Sequence, residues 1–409
     1  MSNPGNPSGS DQIQLSGVRV CVIVNQIYYT DARVMSYANM LARAGAEVDV
    51  IAAKHSKRND PNQHPNIKVY STPIARNYRD GLGYMTNYIT STFFLVLYAF
   101  FLYFKRRYQI IHVNNMPDTL ILAALIPRLF GAKVILDIHD PMPNVFMSKY
   151  GMGEDHPVVR MFIMQEKFSA SLSHEVITAN PMFKDLLFER GTPKEKILVI
   201  NNIPNRNLFN RQNVKVEPRG ASDKFTLIFP GTIAPRYGLD NAIQALPRLA
   251  KEIPNLELKI IGKHSQHAEE LIALASRLNV TEYVNFVPFM PTDQIPSEIA
   301  KADVGVYTAL PDPHMSIAMP GKVLEFATMG IPVVASRVPI LEAFFDDTSI
   351  LFFTPGNIDE FCDHVLKLYH SPSLRKNLVE NADKMFTNKY SWKEEFDQYL
   401  ALVHKLAHS

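Results

Sequence analysis

Lys224-Phe225-Thr226-Leu227-Ile228-Phe229-Pro230-Gly231-Thr232-Ile233-Ala234-Pro235-Arg236-Tyr237-Gly238-Leu239-Asp240 holds a strand, a glycine turn and the first residues of a helix in one run. Residues 225–229 are short, apolar and β-rich, as a strand covered on both faces requires. Just before it, from Ile203 to Asp223, Asn, Arg and Pro dominate and periodic apolar spacing is lost, which reads as an interdomain linker. The strand at 224–229 therefore starts something new. After it come a helix from Leu239 to Lys251, a strand from Leu256 to Ile261, a helix from Ala268 to Leu278, and short strands at Val284–Val287 and Val304–Tyr307. A helix from about Lys322 to Met329 and a strand at Pro332–Ala335 follow, and the chain is mostly helical beyond Ile358.

The same alternation runs upstream of the linker. Strands are expected at Val18–Val24, Val48–Ala52, Ile67–Tyr70, Ile110–Val113, Lys133–Ile138, Glu175–Thr178 and Ile197–Ile200. A helix from Ala32 to Ala44 has Asp31 as its N-cap and Gly45 as its stop, and another from Thr119 to Phe130 stops at Gly131. Alternating strands and helices give parallel sheets covered on both faces. The expected fold class is α/β, with two tandem Rossmann-like domains facing a cleft. The expected divisions are a disordered tail at 1–16, an N-terminal domain at 17–204, a C-terminal domain at 205–390, and a terminal helix at 391–409 packing back on the N-terminal domain. A length of 409 residues suits two domains.

Composition narrows the function. Lys plus Arg is 42 and Asp plus Glu is 40, an even balance that gives no case for nucleic acid as a ligand. The two cysteines, Cys21 and Cys362, lack metal-ligand spacing and read as buried thiols. The tail from Met1 to Ser16 lacks the basic start and apolar middle of a signal peptide. No Asp-any-Asp pair occurs, and Glu47-Val48-Asp49, in a strand, is the nearest approach. No metal ligand set and no bound cofactor are expected. G-x-x-x-x-G-K-[ST], H-E-x-x-H and G-x-S-x-G are also absent.

From Gly81 to Phe104 no residue is charged, and Lys105, Arg106 and Arg107 follow at once. This stretch reads as a half-buried helix, as an interfacial helix with aromatic rings at headgroup level, or as a span. With Arg76 and Arg79 on the other flank, the charges favour no orientation. A peripheral membrane contact through 84–107, on the cytoplasmic face, is expected from it.

Three segments at strand ends carry the chemistry. In the first, Gly231 lets a ligand approach the backbone, Thr232 follows it, and Arg236 offers a planar fork of donors suited to phosphate. The second is Met319-Pro320-Gly321-Lys322-Val323-Leu324-Glu325-Phe326-Ala327-Thr328-Met329-Gly330. Pro320-Gly321 opens a helix whose start carries partial positive charge, and Lys322 adds a full charge. Glu325, about one turn in, can accept both hydroxyls of a ribose. The third is Leu136-Asp137-Ile138-His139-Asp140. There His139 could bond sugar hydroxyls, and Asp140 could cap a turn or touch an acceptor. Asn25 and Asn114, with Asn115, stand at other strand ends of the same domain and are weaker acceptor-side candidates.

At these residues the chain resembles family 4 of the retaining glycosyltransferases, which have the GT-B fold. Residues 320–334, read as P-x-K-x-x-E-F-A-x-x-G-x-P-V-V, are the most specific part, and the Gly231–Gly238 loop with Arg236 is next. Asn202 and Pro204 resemble the family's hinge signature, and Ser391-Trp392 the start of its terminal helix. The resemblance implies a nucleotide-sugar donor, with Glu325 on the ribose and Arg236, Lys322 and the Gly321 backbone on the diphosphate. It places His139 at the donor sugar and implies transfer with retention, while the segment Tyr88–Arg107 alone points to a lipid-linked or glycan acceptor. Three positions depart from the pattern. Ile317 stands where the family often has a first Glu, with His314 as a substitute. Asn25-Gln26-Ile27 replaces a Gly-Gly turn, and Tyr237 replaces a Lys. These departures leave open a degenerate nucleotide-binding partner subunit, and a sugar-nucleotide epimerase or phosphorylase of the same architecture.

Overall fold

A computed structural model describes residues 13–54, 63–75, 82–214 and 224–409, without the side chains of residues 75 and 82–85. Most of the expected tail, the end of the linker (215–223), and Arg76, Arg79 and Gly81 lie outside the described residues.

The elements in chain order begin with β1 (Arg19–Val24), α1 (Ala32–Arg43), β2 (Glu47–Lys54), β3 (Ile67–Ala75), α2 (Leu82–Arg106) and β4 (Ile110–Asn114). Then come α3 (Leu125–Leu129), β5 (Lys133–Ile138), α4 (Met142–Tyr150), α5 (Pro157–Leu172), β6 (Glu175–Thr178), α6 (Pro181–Glu189) and β7 (Ile197–Val199). The next series is β8 (Phe225–Pro230), α7 (Leu239–Leu249), β9 (Leu256–Gly262), α8 (Gln266–Arg277), β10 (Val284–Pro288), α9 (Ile295–Ala300), β11 (Val304–Tyr307), α10 (Gly321–Met329) and β12 (Val333–Ser336). The last are α11 (Pro339–Glu342), β13 (Leu351–Phe353), α12 (Ile358–His370), α13 (Pro372–Ala382) and α14 (Trp392–Ala407).

The chain divides into two compact units, residues 1–201 with 393–409, and residues 202–392. Each contains one parallel sheet. The first has strand order β3-β2-β1-β4-β5-β6-β7, the second β10-β9-β8-β11-β12-β13. In both, strand order reverses beside the first strand, between β1 and β4 and between β8 and β11. Parallel α/β sheets bind ligands at the carboxyl ends of the strands around such a reversal.

In the first unit, the Asp31 side chain accepts a bond from Val34 N at 3.1 Å and starts α1. Gly45, at φ +96°, takes the left-handed turn that stops it. One face of the sheet packs under α1 and α14, with Tyr37, Leu41, Tyr399 and Val403 in the core. The other packs under α2 and the segment after β4, with Leu95, Ala99, Tyr103, Leu120 and Ile121 buried. Leu95, Ala99 and Tyr103 recur every four residues, so α2 buries one stripe as the crossover from β3 to β4. Arg106 fixes its end to β2, through Asp49 at 3.0 Å and Glu47 at 2.7 Å. The carboxylates of Glu47-Val48-Asp49 are thus taken by a cation of the fold. Among the described residues α2, over Thr86–Arg106, is long and apolar enough by length and composition to cross a membrane, and one stripe of it is buried against its own sheet.

The helix expected from Thr119 to Phe130 is 3-10 over Asp118–Ala124 and α-helical only over Leu125–Leu129. Pro127 explains this. In a helix begun at Thr119 it would lack the N–H owed to Ala123 and press its ring on that carbonyl; in one begun at Leu125 it sits in the first turn, where neither matters. β13 and the four-residue α11 are too short for periodicity to show them.

In the second unit the core gathers Leu227, Phe229, Leu246, Leu258, Ile260, Val306, Phe353 and Phe361 between the sheet and α7, α8 and α12. Cys362 is buried there, and Cys21 is buried in the first unit. Gly238, at φ +59°, starts α7, and a Cβ added to it would lie 2.2 Å from the Thr308 carbonyl oxygen. Gly238→Ala is therefore expected to cost about 2–4 kcal/mol, the sum of left-handed strain and a backbone clash. Urea unfolding against wild type checks it; a loss under ~0.5 kcal/mol would show that the loop can move away.

Candidate functional site

In the second unit, a cavity of about 590 Å³ opens at the carboxyl ends of β8, β9 and β10. Its wall is made by the residues that follow each strand, Gly231-Thr232-Ile233, Lys263-His264-Ser265 and Phe289-Met290, closed by Tyr237, Lys322 and Glu325. Gly231 sits at φ +138°. A Cβ there would come within 3.3 Å of Lys322 Cε, so glycine keeps the turn open to the lysine. Gly262 backs onto the same turn, where a Cβ would lie 2.3 Å from the Gly231 carbonyl oxygen.

Lys322 enters from the first turn of α10. No side chain caps that helix, so its positive end is left beside the cavity. The lysine Nζ lies 4.3 Å from the ring centre of Tyr237, 4.7 Å from Phe229 and 5.4 Å from Tyr307. Three ring faces hold the ammonium while excluding water. Burial lowers its pKa to about 8, opposed by Glu325 and helped by Arg236. Burial likewise raises Glu325 to about 7, with Lys322 opposing. Near neutral pH the cavity thus holds a cation and an anion that are both under-solvated. A ligand bringing phosphate oxygens to one and hydroxyl donors to the other would relieve both.

Four of the expected donor-side residues, Gly231, Thr232, Lys322 and Glu325, share this wall. The other three do not line it. Gly321 begins α10 just outside. Arg236 stacks on Tyr237 at 5.4 Å, with its Nε buried and unbonded among the described residues. Its carbonyl takes Leu310 N at 3.1 Å, and Thr308 Oγ donates to the Tyr237 carbonyl, so the Arg236 loop is stitched to the chain after β11. His314 is buried in a turn whose N–H groups, at 314 and 315, both donate to Asp312 at 2.7 Å. His314 is buried there and is not among the residues that line the cavity. Sequence reasoning missed the aromatic ring around Lys322 and the Lys263-His264-Ser265 segment. The signal for the segment was available, since it follows a strand.

In the first unit, Asn25, Asn114, His139 and Asp140 all stand at the carboxyl ends of β1, β4 and β5, with Asn114 in register with Val24 and Asp137. Two of them are turned into the fold. Asn25 Oδ1 accepts from Ser91 Oγ at 2.6 Å, and Asn114 Nδ2 donates to the Ile23 carbonyl at 3.3 Å; both residues are buried. These two side chains therefore face the fold rather than solvent. Asp140 does not cap α4, whose N-cap is Pro141, and its carbonyl takes Asn115 Nδ2 at 2.8 Å. His139 stays half-buried, with Nδ1 3.9 Å from Asp137 Oδ2. Asp137 is fully buried and held by Arg33 through two bonds, at 2.8 and 3.2 Å, while Arg33 also donates to the Ile200 carbonyl at 3.0 Å. Burial would raise the Asp137 carboxyl, but Arg33 and His139 bring it below its ordinary value. This pair, 104 residues apart in sequence, gave no sign in the sequence. Among the described residues no group of three or more His, Cys, Asp or Glu could hold a metal ion.

Comparison with known proteins agrees with this layout. Residues 210–385 match the family model described as Glycosyl transferases group 1, and residues 30–202 match Glycosyl transferase 4-like domain. An uncharacterized glycosyltransferase of Methanocaldococcus jannaschii is 27 % identical over 240 residues, 56 % of this chain and 59 % of that protein. The GDP-mannose-dependent alpha-(1-6)-phosphatidylinositol monomannoside mannosyltransferase of Mycolicibacterium smegmatis is 34 % identical over 126 residues, 30 % of this chain and 32 % of that protein. The chain thus spans less than two thirds of the length of these curated relatives. Among solved structures, sucrose-phosphate synthase of Thermosynechococcus elongatus superposes with a TM-score of 0.76 at 18 % identity, covering 96 % of this chain and all of that one. Anabaena HepE with UDP and glucose gives a TM-score of 0.70 at 16 % identity, covering 95 % of this chain and 100 % of that one. With one family model on each unit and two parallel sheets of matching topology, the chain belongs to the group 1, family 4 glycosyl transferases of the GT-B fold.

Proposed function

We propose that this protein moves a sugar from a nucleoside-diphosphate sugar to an acceptor hydroxyl, with retention at the anomeric carbon and without a metal ion. The observation that carries the reading is Lys322, whose ammonium is ringed by aromatic side chains between the Gly231 turn and Glu325. The diphosphate lies against Lys322, the Gly231 and Thr232 backbone and the start of α10, and Arg236 swings from its stack on Tyr237 to join them. Glu325 takes the ribose hydroxyls. As the bond from the anomeric carbon to the β-phosphate oxygen breaks, charge grows on that phosphate, where preorganised cations are worth a few kcal/mol of barrier each. The acceptor oxygen bonds to the same face of that carbon, its proton passes to the leaving phosphate, and the nucleoside diphosphate departs. His139 holds the sugar or the acceptor. Relatives named as GDP-mannose-dependent and crystallised with UDP make both bases worth testing.

The proposed acceptor is lipid-linked, reached from the cytoplasmic face of a membrane through residues 84–107. This rests on the aromatic, carboxylate-free sequence of α2.

A thermal-shift and calorimetry screen with UDP, GDP, ADP and their sugar conjugates tests the donor site. A ligand at about 100 times its Kd is expected to stabilise the fold by roughly 2.7 kcal/mol; no binding by any of them removes the reading. Binding should also be proton-linked. A diphosphate returns Lys322 toward its ordinary pKa from about 8, so binding at pH 8.5 takes up protons. Ribose hydroxyls favour ionised Glu325, lowered from about 7, so binding at pH 6.5 has a release term from this residue. Calorimetry in buffers of different ionisation enthalpy reads both, and proton exchange independent of pH would place the ligand elsewhere.

A further inference from the structure

The outer surface of α2 does not stand alone. Along one flank of its buried stripe it carries Ile89, Phe93, Phe100 and Phe104, with Phe101 opposite that stripe, all exposed. A groove of about 310 Å³ joins this flank to the segment after β4, with Phe93 and Leu97 on one wall and Leu122 and Ile126 on the other. The rings of Phe104 and Phe130 meet at 5.5 Å where α2 and α3 end. On the far side, α5 is tied to the same segment by Ser169 Oγ, which donates to the Asp118 carbonyl at 2.8 Å. Met161, Met164 and Phe168, spaced three and four residues apart on α5, are exposed. Leu129 is 79 % exposed and Met164 70 %. Three neighbouring elements on one face of the sheet thus present large apolar side chains outward. Soluble monomers rarely leave so wide a patch uncovered without a partner for it.

Charge selects the partner. The segments 86–107, 118–131 and 157–172 contain two carboxylates, Asp118 and Glu166, and both are buried. Lys105, Arg107 and Lys167 are exposed on the same segments. A second copy of this face would bring like charges together with no exposed carboxylate in these segments to answer them. An anionic bilayer answers them, and its headgroup level is where exposed Phe and Met beside Lys and Arg are stabilised.

We infer that the face formed by α2, the 118–130 segment and α5 is a membrane-docking surface that lies flat on an anionic bilayer. It rests on the reading of 84–107 as lipid-facing and extends it to α5, more than fifty residues away in sequence. The apolar side chains enter the headgroup boundary while Lys105, Arg107 and Lys167 stay at phosphate level.

The test is co-sedimentation of the full chain with phosphatidylglycerol-containing and with pure phosphatidylcholine vesicles. It uses wild type, a Phe101→Glu variant, and a Met164→Glu/Phe168→Glu double variant. Wild type is expected to bind the anionic vesicles, more weakly as salt rises, and both variants to lose at least about tenfold in partitioning. Thermal melting and the nucleotide-induced shift, read on the same samples, show that fold and donor site are intact. Wild type that ignores anionic vesicles overturns the proposal. Binding lost in Phe101→Glu but kept in the α5 variant also overturns it, leaving only the single-helix contact. Concentration-dependent dimers without lipid, abolished by either variant, would assign the face to a second copy. Failure of nucleotides to bind wild type sinks the donor reading and leaves this one standing.

Discussion

Lys322→Met is expected to lower turnover by about 10²–10³-fold while leaving the fold as stable as wild type or slightly more so. Methionine keeps an unbranched apolar stem among Phe229, Tyr237 and Tyr307 and removes only the charge. In the empty protein that charge is a burden, since burial holds the lysine near pKa 8, below its ordinary value. In the transition state the same charge faces the phosphate that gains electron density, where loss of one preorganised donor costs about 3–4 kcal/mol of barrier. Stability and activity should therefore move apart. Steady-state kinetics with a saturating donor and acceptor, beside a melting curve, check this. Arg236→Ala is expected to cost less, because its guanidinium stands outside the cavity wall and must swing in. Turnover of Lys322→Met within about threefold of wild type would mean that the diphosphate is held elsewhere.

Arg33→Met is expected to be the most destabilising of these substitutions, at about 3–5 kcal/mol. Asp137 is fully buried, and Arg33 supplies both of its charge-assisted bonds. Removing the guanidinium leaves a carboxylate in the sheet with His139, at 3.9 Å, the Tyr37 hydroxyl and His112 to answer it, and without its two charge-assisted bonds. The pH dependence gives an independent check. In wild type the Asp137 pKa is depressed, so its contribution is present above the unfolded value near 3.8 and is lost as pH falls through the lower folded value. In Arg33→Met burial acts without its counterweight and the folded pKa rises above 3.8. That stabilising term is then full below pH 3.8 and lost as pH climbs through the new folded value, so the deficit against wild type should shrink on acidification. Urea unfolding at neutral and mildly acidic pH measures both. A deficit below ~1 kcal/mol, or one that grows in acid, would show that water or another donor replaces the guanidinium.

The two substitutions sit at opposite ends of what could be read from the chain. Lys322 stands in a local signature, a Pro-Gly helix start with Lys and Glu spaced along one turn, so sequence alone found it. Arg33 belongs to α1 and Asp137 to β5, and no local pattern links residues so far apart. The same holds elsewhere. Asp31 and Gly45 bracket α1 by short-range rules, and the structure places both ends where those rules put them. Asn25, Asn114 and His314 were polar residues at promising strand ends or loops. Whether the Asn25 and Asn114 side chains turn outward or inward depends on Ser91 and Ile23, which only packing supplies.

Periodicity and turn chemistry in the sequence determined the two α/β sheets, their approximate strand and helix bounds, and the separate candidacies of Gly231 at a strand end and of Lys322 and Glu325 at a helix start. These follow from interactions within a few residues, which the order of amino acids states directly. The tertiary structure decided which rings surround the Lys322 ammonium, which carboxylates are buried against which cations, and that α5 shares an apolar face with α2. Those are contacts between elements distant in the chain. They are set when a whole sheet is covered and every buried polar group must find a partner.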